Sequence, residues 1–162
     1  MGTGKSTIGK FSARSLGFRY VDTDDVIVDL AGMSIPEIFQ NQGEEAFRDI
    51  EIEAVQKVAK SNNQVIATGG GIVTREANRK ILKRCGYVIW LKADPESIFE
   101  RVSRNRNRPL LQTENPLATI RELLAEREEL YRETADFEVN TSELTVDEIV
   151  HGVTESARIA FC

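Results

Sequence analysis

Residues 1 to 7 read MGTGKST, the closing part of the phosphate-loop pattern G-x-x-x-x-G-K-[ST]. In such a loop successive backbone N–H groups point inward at phosphate oxygens. The lysine reaches the β- and γ-phosphates, and the hydroxyl that follows it ligates a magnesium ion. Gly4, Lys5 and Ser6 stand at those positions. Glycine keeps side chains away from the anion, and the helix that must follow adds its positive N-terminal dipole, which predicts helix over Thr7–Leu16. The plainer reading is an ordinary turn before a helix.

The pattern also constrains what should stand before it. A phosphate loop ordinarily follows a buried apolar strand, and Met1 leaves no residues for one. The expectation is a strand of on the order of ten residues missing from the N-terminus, the chain starting late or cut short. The 162 residues otherwise suit one domain, with 41% hydrophobic and 29% charged residues. A net charge of −5 argues against a general nucleic-acid or anionic-membrane surface and leaves local basic pockets for small anions. Cys85, Cys162 and a single histidine, His151, are too few for a disulfide framework, a His/Cys metal cluster or His-dependent nucleophilic catalysis. His151 reads as a solvated helix residue. With no signal peptide and no spanning segment, the expectation is a reduced, cytoplasmic protein.

Short apolar runs alternate with helical patterns, the signature of a parallel sheet covered on both faces. The expected strands are Phe18–Val21, Gln64–Thr68, Tyr87–Leu91 and Phe137–Asn140. Helices are expected near 5–16, 24–31, 35–41, 44–60, 75–84, 95–104, 116–132 and 146–160. Ser34 with Glu37 makes a capping box, and Pro95 after Asp94 suits a first helical turn. The stretch Asn105–Asn115 is the one irregular, polar segment.

Four clusters carry candidate chemistry. Asp22 and Asp24, in DTDD directly after the first of these strands, fall where the carboxyl ends of parallel strands gather ligands. One could hold Mg²⁺ through water and the other accept a hydroxyl proton, or both could simply cap a helix. Gly69-Gly70-Gly71 after VIAT would let a backbone approach a ligand, or form a flexible turn. Arg48, in EEAFRDIE, lies at the margin of a helix's apolar face, where a surface ion pair is the plainer reading. Arg101, Arg104, Arg106 and Arg108 fall within eight residues before Pro109, an anion signal on a loop that reads as a lid; the alternative is a solvated basic helix end.

Taken in order, GTGKST at 2–7, DTD at 22–24, EEAFRDIE at 44–51, GGG at 69–71, RPLL at 108–111 and AEREELY at 125–131 resemble the shikimate kinase family, from residue 1 to about 150. The resemblance implies a three-layer α/β/α P-loop fold with a parallel sheet of family order 2-3-1-4-5, here lacking its first central strand. It implies one kinase domain over 1–162, with substrate-binding helices about 24–60 and a lid about 105–116. The implied activity is ATP-dependent phosphorylation of the 3-hydroxyl of shikimate, on the route to chorismate and the aromatic amino acids, with ATP as co-substrate and Mg²⁺ as cofactor. Implied partners are shikimate, with no nucleic acid and no membrane, and the chain is expected to be a monomer.

Residue by residue, the resemblance assigns Gly2, Thr3, Gly4, Lys5, Ser6 and Thr7 to ATP, Arg101 to the adenine, and Arg108 to the phosphates. Ser6 and Asp22 take the metal side. Asp24, Arg48, Gly69, Gly70, Gly71 and Arg127 take shikimate, its carboxylate held by the two arginines and the glycine backbone. A planar guanidinium fork suits a carboxylate in a way lysine does not. Lys5, Asp24 and Arg108 are the implied catalytic groups, with Asp24 as general base or hydroxyl-orienting residue. Two alternatives remain open: another small-molecule kinase of this fold, gluconate- or nucleotide-type, and a non-catalytic nucleotide-binding module.

Overall fold

The computed structural model describes residues 2–103 and 113–161. Arg104, Arg106, Arg108, Cys162 and most of the expected lid lie outside them. Helix α1 (Lys5–Leu16) leads to strand β1 (Arg19–Asp22), helix α2 (Thr23–Ala31), helix α3 (Ile35–Val58) and strand β2 (Gln64–Ala67). A 3-10 turn over Gly70–Thr74 and helix α4 (Glu76–Cys85) precede strand β3 (Ile89–Lys92). Helices α5 (Pro95–Ser103) and α6 (Pro116–Thr134), strand β4 (Phe137–Asn140) and helix α7 (Val146–Phe161) complete the order.

Local chemistry accounts for most of these limits. Glu37 reaches back to accept from the Ser34 N–H at 2.8 Å and the Ser34 hydroxyl at 2.6 Å, so the expected capping box opens α3. Asp94 accepts from the Ser97 N–H at 2.7 Å and opens α5 ahead of Pro95. The helices expected at 35–41 and 44–60 run together as α3, kinked at Gly43, whose φ of 84° is left-handed. Strand β3 begins two residues later than expected, because the Val88 carbonyl accepts from Asp136 and Phe137 and its N–H donates to the Asp136 carboxylate.

β1 pairs with β2 and β3 with β4, both parallel, each through four residue pairs. Successive strand residues face opposite ways. Ile89 and Leu91 pack with Ile8, Ile149 and Val153 of α1 and α7, whereas Trp90 between them stacks on Tyr131 of α6. Helices therefore cover both faces, as the alternating pattern requires. Between the two strand pairs runs an apolar slot of about 1030 Å³, lined by β2, by β3, and by residues of α1, α3, α4, α6 and α7. Two buried hydroxyls on its wall, those of Ser12 and Thr23, have no hydrogen-bond partner among the described residues.

Candidate active site

At the carboxyl ends of the strands lies a second cavity of about 520 Å³. It is lined by Gly2, Thr3, Gly4, Lys5, Ser6 and Thr7 of the N-terminal loop, by Asp22 and Asp24, by Arg48, by Gly69, Gly70 and Gly71, and by Arg101 and Arg127. Every candidate residue from the sequence meets there except Arg104, Arg106 and Arg108, which fall outside the described residues.

The loop enters α1 through Gly4, whose φ of 85° puts it in the left-handed region that favours glycine. The first turn of α1 itself carries no acidic residue, which leaves its backbone N–H groups suited to phosphate. Arg101 ties this loop to the opposite wall. It donates to the Gly2 carbonyl at 3.3 Å and the Thr141 carbonyl at 3.1 Å.

The two readings of Asp22 prove compatible. Its Oδ1 accepts from the Asp24 N–H at 3.1 Å, capping α2. Its Oδ2 accepts from the Ser6 hydroxyl at 3.3 Å and the Tyr20 hydroxyl at 3.0 Å. Burial, with Asp22 close by, pushes the Tyr20 phenol up to about 12, so it remains a donor. Ser6 and Asp22 thus converge two hard oxygens, one anionic. A magnesium ion, which keeps several waters and uses one or two protein oxygens beside phosphate, fits that pair. Among the described residues no group of three or more His, Cys, Asp or Glu forms a fuller cage.

Arg48 departs from its surface reading. It is 5% exposed and its guanidinium forks, Nη1 donating to Glu51 and Nη2 to Glu44, both at 3.0 Å. Glu51, 1% exposed, is a site residue that the sequence reading quoted inside EEAFRDIE without assigning it; its i,i+3 spacing from Arg48 was the available signal. Burial raises the Glu51 carboxyl above the ordinary range, opposed by Arg48 beside it. Gly69 and Gly71 fit this cluster tightly. A Cβ on Gly69 would sit 3.3 Å from Glu51 Oε1 and 3.6 Å from Asp24 Oδ1. One on Gly71 would lie 2.4 Å from the Arg48 guanidinium nitrogens. The triplet, read either as a close backbone approach to a ligand or as a flexible turn, enters the 3-10 turn at Gly70.

Arg127 projects from α6 into the same cavity, 8% exposed, and its Nε has no hydrogen-bond partner among the described residues. A buried donor left unpaired costs about 1–3 kcal/mol, so the cavity favours an acceptor there. One cleft therefore gathers the glycine-lysine loop of residues 2–7, the Arg48 and Arg127 guanidiniums and the Asp24 carboxylate. That arrangement suits transfer of a phosphoryl group to an alcohol that also carries an anion.

A family model described as shikimate kinase matches residues 1–158. A shikimate kinase of Thermodesulfovibrio yellowstonii is 49% identical over 94% of this chain and 88% of its own length. One of Caldanaerobacter subterraneus subsp. tengcongensis is 47% identical over 94% of this chain and 89% of its own. Among solved structures, the shikimate kinase of Acinetobacter baumannii in complex with shikimate superposes with a TM-score of 0.94 at 36% identity, covering 99% of this chain and 89% of that one.

Proposed function

The chain belongs to the shikimate kinase family and is an ATP-dependent kinase, and from that premise we propose that its strand-end cleft holds ATP and shikimate together and transfers the γ-phosphoryl group to the 3-hydroxyl. The observation that carries the reading is the buried Arg127 donor without a partner, in one cavity with forked Arg48, Asp24 and the N-terminal loop. The A. baumannii relative was solved with shikimate. A carboxylate placed between Arg48, Arg127 and the glycine triplet takes up the unpaired donor, and Asp24 orients the acceptor hydroxyl and receives its proton.

Phosphoryl transfer passes through a loose transition state, so positioning and charge carry most of the catalysis. The backbone N–H groups of Gly2–Thr7 and Lys5 hold the phosphates, and Arg108 adds positive charge to them. Ser6 and Asp22 would hold Mg²⁺, which offsets negative charge on the phosphate oxygens when bound. Arg101 keeps the loop and the Thr141 segment in register beside the adenine end.

The same reading takes residues 1–162 as one kinase domain, with substrate-binding helices over about 24–60 and a lid over about 105–116. It is a cytoplasmic monomer. No described helix is long and apolar enough to cross a membrane. The reading includes the implied order 2-3-1-4-5, in which a further parallel strand would lie between β2 and β3; the slot there and the Ser12 and Thr23 hydroxyls on its wall support it.

Initial rates with shikimate and with its methyl ester test the carboxylate clamp. Esterification removes the anion and leaves the ring hydroxyls, so KM should rise about a hundredfold, the value of one lost charged contact beside a newly unpaired buried donor. Equal KM values would refute it.

A further inference from the structure

Helix α6 carries Tyr131 one turn beyond Arg127, on the same face. Its hydroxyl donates to the Gly70 carbonyl across a sequence separation of 61 residues, and its ring stacks on Trp90 with centroids 5.2 Å apart and planes at 29°. The Arg127 guanidinium acts on the same hydroxyl; burial pushes the phenol upward, and Arg127 opposes that rise. Tyr131 thus stays protonated at neutral pH and donates through its single O–H.

From this geometry we propose that Tyr131 is a positioning residue for acceptor binding, its hydroxyl fastening helix α6, which carries Arg127, to the Gly70 peptide so that both parts of the carboxylate site keep one fixed relation. The inference rests on the reading that Arg127 and the glycine triplet hold the substrate carboxylate. A trans peptide is planar, with its C=O and the next N–H pointing opposite ways. Pinning the Gly70 carbonyl on Tyr131 therefore turns the Gly71 N–H to the other side of that peptide. Gly71 is the residue on which a Cβ would run into the Arg48 guanidinium. One hydroxyl therefore sets the direction of a backbone donor, one helical turn from the arginine whose Nε has no partner among the described residues. The Trp90 stack fixes the ring from behind, so the hydroxyl has little freedom to leave the Gly70 carbonyl.

Tyr131→Phe keeps the ring and its stack and removes only the hydroxyl. The expected result is a KM for shikimate raised about tenfold, with the KM for ATP unchanged, kcat within about twofold and the melting temperature within about 2 °C. The variant should also discriminate less than the parent between shikimate and its methyl ester, because the carboxylate site is what has loosened. A merely structural role would instead lower the melting temperature and move both KM values together, and that result overturns the proposal, as does an unchanged shikimate KM.

Arg127→Gln separates this inference from the reading beneath it. If Arg127→Gln leaves the shikimate KM unchanged, the site reading itself is wrong. If Arg127→Gln raises that KM and Tyr131→Phe does not, the carboxylate site stands and the Tyr131 link falls. When both raise it, the double variant should show less than the product of the two effects, since each interrupts the same connection; a full product overturns the link.

Discussion

Replacing Glu51 by alanine should cost more stability than any surface change in the protein. Glu51 and Arg48 are 1% and 5% exposed and meet at 3.0 Å. Arginine cannot shed its proton, so the variant must bury a guanidinium whose remaining carboxylate partner, Glu44, has a side chain 50% exposed to water. An exposed pair of that kind is worth at most about 1 kcal/mol. Removing one member of a buried pair typically costs about 3–5 kcal/mol, because the other charge is left uncompensated. For a domain of this size each kcal/mol lowers the melting temperature by about 2–4 °C, so the expected fall is about 6–20 °C. Circular dichroism melts measure it, with urea unfolding followed by the lone tryptophan, Trp90, as an independent probe. The kcat/KM for shikimate should drop at least about tenfold, because Arg48 loses the contact that aims its fork. The KM for ATP should not move. A Glu51→Ala melt within 2 °C of the parent would refute the reasoning, since it would mean that Arg48 finds its compensation elsewhere.

Gly71→Ala places a methyl 2.4 Å from the Arg48 guanidinium, so it should raise the shikimate KM by about tenfold or more while sparing the ATP KM; steady-state kinetics with each substrate varied decides this. Asp24→Asn should lower kcat at least about a hundredfold with little change in ATP affinity, because the hydroxyl loses its proton acceptor; unchanged turnover would sink that role. The Asp94 carboxyl lies well below the usual range, chiefly through its hydrogen bonding with Ser142 and then with Ser97. A depressed carboxyl stabilises the fold above its unfolded value of 3.8 and loses that contribution as the pH falls through its lower folded value. Melting temperatures of the parent and Asp94→Asn should therefore differ at neutral pH and converge below pH 3.8. An N-terminal extension encoding an apolar parallel strand should raise the melting temperature by filling the slot between β2 and β3; no rise would argue against a strand there.

What the sequence made legible follows from what is local. The glycine entry into α1, the capping box at Ser34 and the start at Pro95 are decided within four residues, and each appears where expected. β4 matches its expected limits, and His151 is an exposed residue of α7. The misses depend on distant partners. Gly43 reads as a helix boundary because glycine weakens helices, yet its left-handed φ lets α3 kink and continue. Arg48 at a helix margin reads as a surface residue until α3 packs it under Gly71. Glu51 and Tyr131 sit inside quoted motifs, but their roles rest on an ion pair with Arg48 and on a contact 61 residues away, and periodicity shows neither pairing. Tyr20 is similar, its hydroxyl meeting Asp22 only once β1 is formed.

The account's central claim is a kinase whose cleft selects a carboxylate-bearing alcohol. ADP release by this chain with ATP and Mg²⁺, measured side by side with shikimate, gluconate, a nucleoside monophosphate and no acceptor, tests it most directly. Release that depends on shikimate, with the other three at background, is the predicted result. Faster release with gluconate or a nucleoside monophosphate, or none above background with shikimate, would contradict it.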